Sequence, residues 1–284
     1  MYGAGQNYLP EFLVGSAGRT DSIRSTIDPS FPGLLQPEPI SENLGPLSEA
    51  VIKNQYDVGI AYDGDADRLG IIDETGRYID TLKVFALLAL YMLEIRQQQG
   101  AMIKSITSSN MLFKLGSLYD SPVYETPVGF KYIGPKMIET NALIGGEESG
   151  GYGFINHIPE RDGILSSLYF LSLMDAKQMS PSQLVGYLES IVGPHYYGRR
   201  DIKINSNAVA KVQEWINPRK VIDRIGDQRT LGSDFIDGRR LHLKTGWVTV
   251  RLSGTEPLIR IYAESCGDDM IESILNDTVS SINI

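Results

Sequence analysis

Three carboxylates stand at alternate positions in Asp63-Gly64-Asp65-Ala66-Asp67-Arg68, directly after the apolar run 58–62, which reads as a buried strand. Alternation lets three side chains converge from one tight turn. Gly64 and Ala66 keep bulk away while the backbone folds around a small hard ion. A cluster of oxygens favours magnesium, because zinc and copper take thiolate and imidazole; the chain has one Cys and three His, none beside these acids. Asp63, Asp65, Asp67 and Glu74 also fall at the first, third, fifth and twelfth positions of an EF-hand calcium loop. The sixth position, which needs Gly for its sharp turn, is Arg68, and the flanks read as strands rather than helices. A strand ending in Asp-x-Asp is also the pattern of an aspartyl-nucleophile phosphatase, and the turn alone does not separate the two. As a plain solvated turn, the three acids would repel one another unless a cation neutralised them.

Two further segments carry chemistry. Gly145-Gly146-Glu147-Glu148-Ser149-Gly150-Gly151-Tyr152-Gly153 follows a short apolar run. Its glycines let the backbone approach a ligand, and Glu147 and Ser149 together suit the paired hydroxyls of a sugar. The bland alternative is a flexible Gly-rich turn. Ser149 as a hydrolase nucleophile would need a Gly-x-Ser-x-Gly elbow, and that spacing is absent. Residues 251–260 concentrate Arg251, Ser253, Gly254, Thr255 and Arg260 between two extended runs. Hydroxyls, a glycine-freed backbone and guanidinium groups make a phosphate cradle, unless this is an ordinary hairpin with exposed arginines. A metal turn, a hydroxyl-reading turn and a phosphate turn in succession imply a phosphosugar held in a cleft between domains.

The elements that must position these turns follow an α/β rhythm. Pro-rich residues 28–39 precede an expected helix at 41–55, the strand into the acidic turn, a second strand at 69–72, a turn at 74–77 and an apolar helix from Leu82. That helix has only about a dozen apolar residues and includes Lys83, too few to span a bilayer that needs about 20. The rhythm restarts with strands at 102–106, 122–125 and 142–144 and a helix reaching about Leu118, then helices at 162–177 and from Ser180-Pro181-Ser182-Gln183, a capping box with Pro at the first helical position. Such alternation predicts a parallel or mixed layered sheet. From about Gly198 the texture changes to strand, helix, extended segments at 241–244 and 247–252, and an amphipathic helix at 268–282. With 284 residues, 42% hydrophobic and 21% charged, the chain has enough apolar content for several cores. The net charge of -9 argues against nucleic-acid and anionic-membrane partners, no basic-then-apolar leader is visible, and the single Cys266 fits a reducing cytoplasm.

In this order and spacing, the three motifs resemble the α-D-phosphohexomutases, the family of phosphoglucomutase and phosphomannomutase. The similarity extends over essentially the whole chain, including Thr126-Pro127-Val128-Gly129-Phe130-Lys131-Tyr132-Ile133-Gly134 and His157-Ile158-Pro159-Glu160-Arg161-Asp162-Gly163. The resemblance implies an α/β fold: two three-layer α/β/α domains at 1–97 and 98–195, the first incomplete, then a small α+β domain like the TATA-binding-protein fold at 196–284. It implies that Asp63, Asp65 and Asp67 hold Mg2+ beside a phosphoserine with Arg68 close by. Glu147 and Ser149 bind sugar hydroxyls, Arg251, Ser253, Gly254 and Thr255 with Arg260 grip the phosphate not being transferred, and Lys131 moves a proton or contacts phosphate. The substrate is a hexose phosphate, glucose or mannose 1- or 6-phosphate, turning over through a bisphosphate, and the Gly-rich turn looks more like phosphoglucomutase than phosphoglucosamine mutase. The family's Thr-x-Ser-His-Asn-Pro phosphoserine loop has no counterpart here; Thr107-Ser108-Ser109-Asn110 lacks the His and Pro and reads as a helix cap. The chain therefore resembles a C-terminal fragment, expected to be inactive alone. It is also expected to leave a sheet edge open to the missing N-terminal segment or to self-association. The alternative is a phosphosugar-binding fragment without catalysis.

Overall fold

The computed structural model describes residues 1–16, 18–253 and 258–284, which fall into two compact units. The first comprises residues 1–108, 112–125 and 129–191, the second 109–111, 126–128 and 192–284.

In the first unit a short helix α1 (Tyr8–Phe12) precedes the Pro-rich stretch. The helix expected at 41–55 is split into a 3-10 turn at Ser41–Asn43 and helix α2 (Gly45–Asn54). Pro46 explains the break, since it is tolerated only in a first helical turn. Strands β1 (Val58–Tyr62), β2 (Leu69–Asp73) and β3 (Tyr78–Ile79) form an antiparallel meander in which Val58 faces Asp73 and Tyr62 faces Leu69. A parallel or mixed sheet was expected there. The connections at 63–68 and 74–77 are far too short for the crossover that parallel neighbours require. Asp73 tightens the second turn by accepting the N–H groups of Thr75 at 2.8 Å and Arg77 at 2.9 Å. Helix α3 (Thr81–Leu90), capped by Asp80 through the N–H of Leu82 at 2.6 Å, buries every apolar side chain from Leu82 to Leu90 and continues as a π-helical turn at Tyr91–Ile95. Among the described residues no helix is long and apolar enough to cross a membrane.

The chain then runs β4 (Met102–Ser105), α4 (Met111–Leu118), β5 (Val123–Thr126), α5 (Phe130–Thr140), β6 (Ile144–Gly146) and β7 (Tyr152–Phe154). The sheet order is β5-β4-β6-β7, with β6 parallel to β4 and antiparallel to β7. Helix α6 (Gly163–Lys177) packs on β1, β2 and α3, and α7 (Pro181–Val192) begins with one half of the expected capping box: the Ser180 N–H donates to Gln183 Oε1 at 2.9 Å, while the Ser180 hydroxyl donates to Glu74 Oε1 at 2.7 Å.

The second unit contains β8 (Tyr196–Lys203), α8 (Ser206–Ile216), β9 (Arg224–Ile225), β10 (Gln228–Asp234), β11 (Arg239–Leu243), β12 (Gly246–Leu252), β13 (Leu258–Ser265) and α9 (Asp269–Ile282). Its antiparallel sheet has the order β8-β13-β12-β11-β10-β9. Trp215 of α8 and Ile271 and Leu275 of α9 close a core with Val248, Val250, Ile259 and Ile261 of the central strands. Strand β10 carries no strand signal in the sequence, because most of it is exposed and polar and no apolar alternation marks it.

Candidate metal and sugar-phosphate site

The acidic turn is a six-residue connection between antiparallel strands. Strands on both sides remove the EF-hand reading, which needs helices. Ala66 adopts φ +64°, a left-handed conformation that a non-glycine residue holds only when its surroundings over-determine it. They do. The Gly163 N–H donates to the Ala66 carbonyl at 3.0 Å and the Ala4 N–H to the Gly64 carbonyl at 2.9 Å. The backbones approach so closely that a Cβ on Gly163 would lie 2.7 Å from the oxygens of both Ala66 and Arg68. One carboxylate oxygen from each of Asp63, Asp65 and Asp67 lies within 4.8 Å of the others. Asp63 is buried and accepts the Arg68 N–H at 3.0 Å. The Arg68 guanidinium bonds Glu38 at 2.8 Å and stands 3.6 Å from Asp63 and 3.8 Å from Asp67.

The Gly-rich segment is more ordered than a flexible turn. Gly145 and Gly146 belong to β6, where a Cβ would meet Met137 Sδ at 2.5 Å or Phe85 Cζ at 2.8 Å, so the turn proper is 147–151. The strand expected at 142–144 accordingly lies at Ile144–Gly146, in register with Met102–Lys104. Backbone bonds join this turn to the acidic one, with Arg68 bridged to Gly151 and the Leu69 N–H donating to Gly150 at 2.9 Å.

Arg161, which sequence reasoning did not single out, ties the side chains together. Its guanidinium bonds Asp67 Oδ2 at 2.6 Å and lies 3.7 Å from Glu147 Oε2 and 5.8 Å over the Phe130 ring. Its stem fills the space above Gly151, where a Cβ would be 2.3 Å from Arg161 Cδ. The available signal was its place within the 157–163 motif, but no spacing rule links that segment to Asp67. Next to it, Asp162 caps α6 through the Leu165 N–H at 2.8 Å and pairs with His157 at 2.9 Å.

Burial raises Asp63 to about 7, opposed by the Arg68 N–H and reinforced by Asp67 and Asp65. Burial likewise raises Glu147 to about 7, reinforced by Glu148 and opposed by Arg161, Arg68 and the Gly129 N–H. Asp67 Oδ1 is buried with no hydrogen-bond partner among the described residues. Three close carboxylates, an unbonded buried oxygen and an all-oxygen donor set fit a hard divalent cation.

The other expected residues are distributed as follows. Ser149 is half-buried in the same turn as Glu147. Lys131 is exposed near the start of α5, its ammonium 5.0 Å from the Tyr132 ring centroid. In the second unit Arg251 and Arg260 face each other across β12 and β13, and the Ser253 N–H donates to the Leu258 carbonyl at 2.9 Å. Arg251 pairs with Asp237 at 3.1 Å and Arg260 lies 3.5 Å from Asp201. Gly254 and Thr255 lie outside the described residues.

Residues 1–76, 80–190 and 204–281 match the family models for phosphoglucomutase/phosphomannomutase α/β/α domain II, α/β/α domain III and C-terminal domain. A phosphoglucomutase/phosphomannomutase of Thermococcus kodakarensis is 33% identical over 277 residues, covering 96% of this chain and 57% of the relative. A phosphoglucosamine/phosphogalactosamine mutase of Sulfurisphaera tokodaii is 31% identical over 90% of this chain and 54% of its own length. The crystal structure of a Thermus thermophilus protein assigned as a phosphomannomutase superposes with a TM-score of 0.84 at 30% identity, over 100% of this chain and 59% of that one. The chain thus spans little more than half the length of the proteins it matches. With matched domains along nearly its whole length, and with an acidic turn and a Gly-rich turn joined through Arg161, the chain belongs to the phosphoglucomutase/phosphomannomutase family.

Proposed function

We propose that this chain supplies the metal, sugar and phosphate-binding groups of a phosphohexomutase, which interconverts hexose 1-phosphate and 6-phosphate through a phosphoserine and a bisphosphate intermediate. The observation that carries this reading is the Arg161–Asp67 bond, with Glu147 beside the same guanidinium: the ion-binding turn and the hydroxyl-binding turn form one cluster. Asp63, Asp65 and Asp67 hold Mg2+, which when bound offsets the charge of a phosphoryl group in transfer. Arg68 adds a guanidinium beside those acids, Glu147 and Ser149 exchange hydrogen bonds with sugar hydroxyls, and Lys131 moves a proton or contacts phosphate. Arg251, Ser253, Gly254, Thr255 and Arg260 hold the phosphate that stays in place. The modular division at 1–97, 98–195 and 196–284 and a cytoplasmic location go with this reading.

These 284 residues contain no Thr-x-Ser-His-Asn-Pro loop, so the chain alone is expected to bind glucose 1-phosphate with Mg2+ and not to turn it over. Calorimetry on the chain and on Asp65→Ala tests the first part, with weaker binding expected in the variant; no binding to the unsubstituted chain would overturn the reading. A coupled assay for glucose 6-phosphate tests the second. Parallel titrations with mannose 1-phosphate and glucosamine 1-phosphate separate the hexoses. The family match does not favour an aspartyl phosphatase, for which inorganic phosphate would be released and the release lost in Asp63→Asn.

A further inference from the structure

We infer that Glu148 is a positioning residue for the sugar-binding turn, anchoring the backbone from which Glu147 and Ser149 project to a buried loop of hydroxyls; the inference rests on the reading of that turn as a hexose-binding element. Glu148 Oε2 accepts hydrogen bonds from Thr107 Oγ1 at 2.6 Å and Ser105 Oγ at 3.0 Å. Ser105 Oγ is also 3.1 Å from both Thr107 Oγ1 and Ser108 Oγ, and all three residues are 0% exposed. Buried hydroxyls must be satisfied inside the protein, and here one carboxylate serves the group. The other end of Glu148 is tied as well, its carbonyl accepting from Thr81 Oγ1 at 2.6 Å.

The hydroxyl loop is itself fixed. Lys104, fully buried and paired with Glu125 at 2.8 Å, donates to the Ser108 carbonyl at 2.8 Å. The end of β4 and the first residue of α3 therefore both grip Glu148. The residues on either side of it, Glu147 and Ser149, inherit that fixed backbone. This accounts for the Thr107-Ser108 pair, whose burial and bonding leave it no access as a nucleophile.

Calorimetry with Mg2+ compares glucose 1-phosphate with inorganic phosphate, which lacks the hexose. Glu148→Leu is expected to weaken glucose 1-phosphate by about tenfold or more while inorganic phosphate stays within about twofold. Glu148→Gln, whose side-chain oxygen still accepts both hydroxyl bonds, is expected to stay within about threefold for both ligands, and Thr107→Val to weaken glucose 1-phosphate alone. Full glucose 1-phosphate affinity in Glu148→Leu, or equal loss of both ligands, would overturn the inference; should that variant not fold, Thr107→Val decides by the same two criteria. An unsubstituted chain with no preference for glucose 1-phosphate over inorganic phosphate would instead overturn the reading of the turn, and this inference with it.

Discussion

Arg161 offsets two carboxylates at once, and its loss should be felt first where no cation is present. Removing it leaves Asp67 and Glu147, both mostly buried, with only the more distant Arg68 as a shared counter-charge. Arg161→Gln is expected to cost about 1–3 kcal/mol in metal-free urea unfolding, with Mg2+ restoring more stability to the variant than it adds to the unsubstituted chain. Equal stabilisation of both by Mg2+ would separate Arg161 from the ion site. Glu147 sets a pH dependence of known sign. Burial lifts its carboxyl from 4.5 to about 7, so the folded chain binds this proton more tightly than the unfolded one. Its contribution is fully present below the unfolded value and is lost as pH rises through about 7, at most on the order of 3 kcal/mol. Metal-free unfolding at about pH 5 and about pH 8 should show a larger fall for the unsubstituted chain than for Glu147→Gln; identical falls would contradict the assignment.

The acidic turn is held at the scale of elements by the start of α6. Gly163, the first residue of α6, leaves no room for a side chain against the carbonyls of Ala66 and Arg68. Gly163→Ala is expected to destabilise by about 1–3 kcal/mol and to reduce the rise in melting temperature that Mg2+ gives, because the turn must shift to admit one methyl group. Unchanged Mg2+ stabilisation would mean that the turn keeps its shape without this contact. Most elements near the site were legible in the sequence. Residues 58–62 and 69–72 are short apolar runs on either side of turn-forming residues, Asp162 caps α6, Gln183 bonds the Ser180 N–H ahead of α7, and the Leu82 helix is apolar apart from Thr81 and Lys83. What was not legible was strand direction in the first sheet and the extension of β6 into Gly145 and Gly146. Glycine has no strand preference, and only the packing of Met137, Ile133 and Phe85 makes it the residue that fits.

At the scale of the whole molecule, each unit has its own buried core, and the first has an open sheet edge. Among the described residues β1 pairs with β2 alone. A cavity of about 810 Å3 lined by Leu9, Leu13, Leu47, Leu171 and Met174 lies beside it. Unpaired backbone next to apolar side chains templates strand addition, so the chain is expected to associate as its concentration rises. Sedimentation velocity across a wide concentration range tests this, and a monodisperse monomer throughout would contradict it.

The sequence by itself determined the donor groups that the candidate site offers and carried the motifs by which the family is known. Residue types at short spacings, Asp63-x-Asp65-x-Asp67 and Glu147-x-Ser149, specify donor atoms that one turn can present without reference to the rest of the fold. Only the tertiary structure decided which distant residues complete them. Arg161 meets Asp67 and Thr107 meets Glu148 across about 94 and 41 positions of chain, because strand pairing and glycine-mediated backbone contact bring separate turns together. Local periodicity carries no record of such encounters, which depend on the volume and register of every element packed between them.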